Sequence, residues 1–165
     1  MLQKGEKMTY LVAVGITVGI LAGVWCYVAD QTGLLSFVGF LGWATYFAAG
    51  GGKKGVKLGL CSNMSGVFWG ILTTFLCSVF SSLPYYLFVI LFAAIMCWQA
   101  HAEILGFIPG TFIGNAAYYA AGAVGYKIAS TSIAGALLTA IGLACGILLG
   151  VLSDELAKQL SSGTE

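Results

Sequence analysis

The chain repeats a segment of its own sequence. Phe112–Gly122 aligns with Phe40–Gly50 at an offset of 72 residues, and seven of the eleven aligned positions are identical. Both copies open with Phe-x-Gly and end with two aromatic residues before Ala-Ala-Gly. Such identity indicates an internal duplication. We therefore expect the chain to fold as two copies of one unit.

The composition decides the environment of that fold. Of the 165 residues, 59% are hydrophobic and 8% are charged, whereas about a quarter of the residues of a soluble domain are charged. The chain is therefore predicted to be an all-α integral membrane protein. A net charge of +1 and the absence of arginine argue against a nucleic-acid partner.

About 20 apolar residues span a bilayer as a helix, and this rule predicts six transmembrane helices in a single membrane domain covering residues 1–165. Repeat one covers residues 9–80 and repeat two residues 85–152. The six predicted spans are Thr9–Ala29, Leu34–Gly52, Lys57–Phe80, Tyr85–Ala100, Ile104–Val124 and Ser132–Leu152.

Lysine placement predicts the orientation of the spans. In a six-span arrangement only Lys127 lies on one side, and the other side holds Lys4, Lys7, Lys53, Lys54, Lys57 and Lys158. Since cytoplasmic loops are enriched in lysine, both termini are expected in the cytoplasm. The duplicated segments are helices two and five, so the unit contains three helices. An odd number of spans predicts two inverted three-helix repeats, an arrangement that often places a transport site near the midplane.

Glycines recur every four residues in three predicted helices. These stripes are Gly15, Gly19 and Gly23; Gly106, Gly110 and Gly114; and Gly142, Gly146 and Gly150. Small residues at this spacing let helix backbones approach closely. The stripes can pack within one protomer or between protomers, and the small size of the chain leads us to expect a homo-oligomer.

Neutral polar and aromatic residues inside the predicted spans are the candidates for a solute pathway. Asn63 and Asn115 can donate and accept hydrogen bonds without trapping an ion. Asn115 occupies the repeat position that Trp43 has in the first copy. The pathway candidates are Trp43, Tyr46, Asn63, Asn115 and Tyr118. Hydrogen bonding between helices is the alternative role of both asparagines.

Three ionisable residues lie near the predicted helix ends. Asp30 ends helix one, and His101 and Glu103 lie between helices four and five, at the equivalent turn of the second copy. They are candidates for pathway mouths or proton-accepting groups, because histidine titrates near neutral pH. Their alternative role is that of ordinary loop residues in water.

Pro109 and Gly110 interrupt the helical pattern before the second repeat segment. Proline lacks an amide hydrogen and clashes with the carbonyl four residues earlier. The pair therefore marks either a break in a helix, which could line a cavity, or the start of helix five, where proline is favoured.

The sequence offers little for catalysis or metal binding. The five cysteines contain no Cys-x-x-Cys pair, and there is one histidine, so neither a metal site nor a cofactor is expected. No nucleophile–base pair or phosphate loop is evident. We therefore expect that the chain is not an enzyme.

The run Gly106–Gly114, the Ala/Tyr-rich helix after it, the basic N-terminus and the six-span length resemble the YcdZ-like bacterial inner-membrane proteins, a family defined by a domain of unknown function. The resemblance covers nearly the whole chain. It implies a protein of the bacterial cytoplasmic membrane, and it implies no activity.

The residues themselves favour a channel or facilitator for a small, mostly neutral solute. A proton- or ion-coupled transporter using Asp30, His101 and Glu103 is the second hypothesis. A non-transporting module that packs beside a membrane partner is the third.

Overall fold

The computed structural model describes residues 8–128 and 132–161, and these residues form an all-α protein. The predicted cytoplasmic residues Lys4 and Lys7 lie outside the described residues. Six α-helices follow one another: α1 Tyr10–Thr32, α2 Ser36–Ala48, α3 Gly52–Val79, α4 Tyr85–Trp98, α5 Ile108–Val124 and α6 Ser132–Ser161. Two short 3₁₀ turns, Gln99–His101 and Glu103–Leu105, connect α4 to α5.

Three of these helices are long and apolar enough to cross a membrane. They are α1, α3 and α6, with 23, 28 and 30 residues. Together with the composition, they make the chain an all-α membrane protein. Helix α2 has 13 residues and is about 20 Å long, whereas the hydrocarbon core is about 30 Å thick. The length of the helices therefore identifies three spans rather than the six expected from hydropathy.

Helix α2 is shorter than its apolar stretch because glycines end it. Gly33 ends α1 in the left-handed region with φ of 74°, and Gly50, Gly51 and Gly52 follow α2 with φ of 100°, 66° and 55°. Residues with side chains rarely adopt such angles. Three consecutive glycines therefore permit the sharp turn that reverses the chain into α3.

The helix ends alternate between two ends of the bundle. At one end, Tyr10 of α1 and Tyr46 of α2 both bond to Asp154 of α6, beside the start of α3. We call this the lysine end, because the exposed Lys53, Lys54, Lys57 and Lys158 lie there. At the opposite end, the end of α1 shares a cleft with the start of α2 and the end of α5.

Two close helix crossings form the centre of the bundle. At the first, α2 packs on α6, and Gly42 lies against the Leu143 backbone while Gly146 lies against the backbone of Gly39 and Trp43. At the second crossing, α5 packs on α3. Gly114 lies against the backbone of Asn63, and Gly66 lies against the backbone of Thr111 and Asn115. A side chain at any of these four glycines would overlap with backbone of the facing helix.

The residues of the two crossings correspond in sequence. Each α5 residue named there lies 72 positions after its counterpart in α2, and Leu143 and Gly146 lie 80 positions after Asn63 and Gly66. The correspondence extends to the aromatic rings, since Tyr46 packs on Gly150 as Tyr118 packs on Gly70. The sequence duplication is therefore accompanied by equivalent packing.

The glycine stripes have different environments. Gly142, Gly146 and Gly150 contact α2 within the protomer, and Gly110 and Gly114 contact α3. Of the two alternatives left open for the α6 stripe, packing within one protomer is the observed one, because α2 covers it. Gly15, Gly19 and Gly23 instead have open space where a Cβ would lie.

Candidate functional site

Asn63 is fully buried where α3 crosses α5. Thr45 of α2 places its hydroxyl 3.2 Å from Asn63 Oδ1 and also donates to the Leu41 carbonyl at 2.8 Å. The other terminal atom, Asn63 Nδ2, and the neighbouring Ser62 Oγ have no hydrogen-bond partner among the described residues. Turning the amide over would exchange its two atoms, so either orientation leaves one of them without a partner.

The equivalent place at the other crossing is apolar. Leu143 corresponds to Asn63, Ala117 corresponds to Thr45, and both are fully buried in the hydrophobic core. Because apolar residues fill this place well, packing alone does not require an asparagine. A buried polar group without a partner costs about 1–3 kcal/mol, so Asn63 lowers the stability of this crossing relative to an apolar residue.

Trp43 and Asn115 occupy corresponding places but contact different helices. The Trp43 indole N–H donates to Ser153 Oγ of α6 at 3.0 Å, and its ring stacks on Phe40. Asn115 Nδ2 donates to the Gly66 carbonyl of α3 at 3.3 Å. The structure therefore directs the two side chains to α6 and α3 rather than towards each other.

A buried carboxylate joins four helices at the lysine end. Asp154, whose side chain is 7% exposed, accepts hydrogen bonds of 2.8 Å from Tyr10, Tyr46 and Lys158. The Gly52 amide at the start of α3 donates to the Tyr46 hydroxyl, also at 2.8 Å. We call Tyr10, Tyr46, Asp154 and Lys158 the Asp154 cluster. Charge-assisted bonds of this kind are stronger than neutral ones.

Sequence reasoning missed Asp154, because helix six was expected to end at Leu152. The structure continues α6 to Ser161. The missed signal is that Gly142, Gly146, Gly150 and Asp154 follow one another at four-residue spacing. Residues at this spacing share a helix face, so the carboxylate lies on the side that packs against α2.

Two clefts flank α2, one at each of its ends. The cleft at the lysine end has a volume of about 410 Å³ and is lined by Gly50–Gly52, Asp154 and Lys158. The cleft at the opposite end also has about 410 Å³, and Asp30 and Lys127 lie on its wall. Each cleft thus combines one carboxylate with one lysine. Asp30 is exposed on this wall.

The chain belongs to the family described as protein of unknown function (DUF1097), whose model matches residues 15–158. It is 33% identical to the uncharacterized protein YahC of Escherichia coli K12, over 95% of this chain and 96% of that protein. It is 40% identical to the inner membrane protein YcdZ of the same organism, over 77% of this chain and 79% of that protein. The YcdZ of Salmonella typhimurium is also 40% identical, over 68% of this chain and 72% of that protein. No solved structure matches.

The DUF1097 match includes both crossings, both asparagines and three members of the Asp154 cluster, and it begins after Tyr10. The predicted family resemblance is thus confirmed.

His101 and Glu103 are exposed in the two 3₁₀ turns between α4 and α5. The His101 ring contacts the Trp98 carbonyl through Nδ1 at 2.7 Å. Gln99, near the end of the predicted fourth span, forms three side-chain hydrogen bonds at this connection. Its Oε1 accepts bonds from Ser65 and Trp69 of α3, and its Nε2 donates to Thr111 of α5. Gln99 therefore fixes the end of α4 on two neighbouring helices.

Pro109 lies in the first turn of α5, which begins at Ile108. The first amide groups of a helix have no partner within the helix, so proline costs no hydrogen bond there. Gly110 lets α5 approach the side chain of Ser62. The structure thus places the pair at a helix start, next to the buried Ser62 and Asn63.

Proposed function

We propose that this chain is a channel or facilitator for a small, mostly neutral solute in the bacterial inner membrane. The observation that carries the proposal is Asn63, a buried neutral amide with one terminal atom free for a ligand. An amide can exchange hydrogen bonds with water or a small solute without holding an ion. The relatives named inner membrane proteins support the location.

The polar groups of the interior support a neutral solute. The fully or nearly buried polar residues are Thr17, Thr45, Ser62, Asn63, Thr73, Thr111, Thr139, Ser153, Asp154 and Ser161. Within this set only Asp154 is ionisable, and it lies at the lysine end with a lysine partner. A charge at bilayer depth is costly, and such an interior suits hydroxyl- or amide-bearing solutes better than ions.

Two inverted three-helix repeats are part of the proposal. The equivalent packing of Gly42 on α6 and of Gly114 on α3 supports a pseudo-two-fold relation between the halves. The alternation of helix ends supports opposite orientations, because α2 ends at the lysine end whereas α5 ends in the opposite cleft. Such repeats commonly enclose a transport site at their interface.

Six membrane crossings with both termini in the cytoplasm complete the arrangement. Within the described residues, Lys53, Lys54, Lys57 and Lys158 lie at one end and Lys127 at the other, which agrees with cytoplasmic enrichment of lysine. The short helices α2, α4 and α5 would cross with their flanking turns. Non-helical backbone at membrane depth is tolerated where protein surrounds it.

A flux assay on purified protein in liposomes tests the function. Shrinkage and reswelling after an osmotic step with glycerol or urea report solute entry. Asn63→Leu should lower the flux about tenfold, equal to ~1.4 kcal/mol in the barrier. Thr17→Val, which changes a buried hydroxyl between α1 and α6, should leave the flux near wild type. Wild-type flux through folded Asn63→Leu would contradict the proposed site.

A proton- or ion-coupled transporter is the second candidate, and the Asp154 cluster is the observation that favours it. A buried carboxylate at the end of a pathway could take up a proton during transport. Collapse of an imposed proton gradient should abolish coupled flux and leave facilitated flux unchanged. The absence of flux for every solute would instead favour a non-transporting module beside a membrane partner. We expect no catalytic activity and no cofactor.

We further propose a homo-oligomer formed through α1. The stripe of Gly15, Gly19 and Gly23 is exposed and uncovered in the protomer. Helices in membranes associate through such small residues because backbones can then approach. The glycines of both central crossings are already covered by the protomer's own helices.

A further inference from the structure

A long groove runs between α3 and α6 at the opposite end of the bundle. Its volume is about 760 Å³. One wall is formed by α3 from Met64 to Ser78, the other by α6 from Ser132 to Ala140, and Tyr118 of α5 lies between them. Both wall helices are long and apolar enough to cross a membrane. The groove therefore lies beside the lipid chains of one leaflet.

The groove changes in polarity along its length. Its inner part is lined by apolar residues such as Met64, Val67 and Ala140, whereas Thr74, Ser78 and Ser132 provide hydroxyl groups towards its outer part. Thr74 and Ser78 donate their hydrogens to the carbonyls of Gly70 and Phe75. Each hydroxyl oxygen can still accept a hydrogen bond. An occupant should thus be apolar over most of its length and weakly polar at one end.

The dimensions also limit the occupant. The α3 wall is about 21 Å long at 1.5 Å per residue, and one leaflet of the hydrocarbon core is about 15 Å thick. A single extended hydrocarbon chain matches this length, and it suits a groove of about 760 Å³ whose lining is mostly apolar.

We infer that this groove binds one acyl chain of a phospholipid from the leaflet at the opposite end, with the lipid head group near Ser78 and Ser132. The volume of the groove lies within the range of about 300–1,000 Å³ that is usual for ligand pockets, which have mostly apolar walls and few polar groups. The inference requires only that α3 and α6 span the membrane. It does not depend on transport of a solute.

Native mass spectrometry of the full-length protein, extracted in mild detergent with dipalmitoyl phosphatidylglycerol, tests the inference. Wild type should retain one phospholipid. Ala140→Phe places a ring in the inner part of the groove and should lower retention about tenfold. Ile141→Phe is the matched control, because Ile141 is at the same depth on α6 but is exposed and outside the groove.

Thermal unfolding gives a second measurement, because a ligand that binds the folded state raises its stability. Added phospholipid should raise the Tm of wild type and of Ile141→Phe but not of Ala140→Phe. If Ala140→Phe does not fold, Ile71→Trp narrows the groove from the α3 side instead. Equal retention by wild type and a folded groove variant would overturn the inference. The inference would also be overturned if wild type neither retained phospholipid nor gained Tm from it, or if a second copy of the chain occupied the groove.

Discussion

The hydroxyl group of Tyr46 donates a hydrogen bond of 2.8 Å to the carboxylate of Asp154, 108 residues away in sequence. The same hydroxyl accepts the amide hydrogen of Gly52. Tyr46 therefore connects the end of α2 to α6 and to the start of α3. It was a pathway candidate from its place in the repeat, and its observed contacts give it a part in holding the lysine end together.

Tyr46→Phe should destabilise the protein. The substitution keeps the ring on Gly150 but removes one donor from a buried carboxylate and the acceptor from the Gly52 amide. A hydrogen bond to a charged group contributes about 1.5–3 kcal/mol, so the unfolding free energy should fall by about that amount. Chemical unfolding in detergent, followed by circular dichroism, measures it.

Tyr118→Phe is the control for this change. Tyr118 holds the equivalent place on Gly70, but its counterpart to Asp154 is the neutral Thr74. Its substitution should change stability by less than about 0.5 kcal/mol. Equal losses of unfolding free energy in Tyr46→Phe and Tyr118→Phe would show that the bond to the Asp154 carboxylate adds no stability.

Gly146→Ala should be strongly destabilising despite the small change. A methyl group there overlaps with the backbone of Gly39, which cannot move aside as a flexible side chain could. Overpacking typically costs about 1–3 kcal/mol, so the Tm should drop markedly. Gly122→Ala introduces the same methyl group into open space on α5 and should leave the Tm nearly unchanged, since alanine also favours helix.

Gly19→Leu tests whether α1 forms the contact between protomers. The side chain would keep two α1 helices apart, so the mass from light scattering in detergent should fall to that of a monomer while the helical content stays unchanged. Leu11→Ala, on the exposed part of α1, serves as a surface control. An unaltered oligomer in Gly19→Leu would exclude this stripe as the contact.

The sequence allowed much of this architecture to be predicted from local pattern. Apolar runs located the helices, and the offset between Phe40 and Phe112 identified segments whose packing is equivalent. The lengths of α2 and α5 were harder to predict. The apolar sequence continues through Gly50 and through Gly106, although neither residue belongs to the helix beside it. The contacts of Trp43 and Asn115 were not predictable, because which helix a side chain faces depends on packing between distant segments. Asp154 was missed because helix six was expected to end at Leu152, and its partners Tyr10 and Tyr46 lie far away in sequence.

Accessibility labelling tests the orientation. In a cysteine-free background, Lys54→Cys should react with a membrane-impermeant maleimide only from the cytoplasmic side, and Lys127→Cys only from the periplasmic side. The reason is that the two residues lie at opposite ends of the described bundle. Labelling of both positions from the same side would contradict an inverted arrangement.

Asn115→Leu and Trp43→Phe test how far the pathway extends beyond Asn63. Asn115 is partly buried and its bond to Gly66 is long at 3.3 Å, so its amide can also bind a passing solute. We expect lower flux in Asn115→Leu. In Trp43→Phe, loss of the bond to Ser153 should change the rate without unfolding the protein. Both fluxes are measured in liposomes, and values equal to wild type would restrict the pathway to other residues.

The glycine crossings have a mechanical consequence. Where Gly146 meets the Gly39 backbone and Gly66 meets Thr111, no flexible side chain separates the helices, and close-packed backbone is nearly incompressible. Sliding of α2 along α6, or of α5 along α3, would force backbone atoms into each other. Rotation of the helices about their contact points does not force these atoms together. The two crossings are therefore pivots, and α2 can move against α6, and α5 against α3, by rocking, in which movement at one end of each helix is accompanied by opposite movement at its other end.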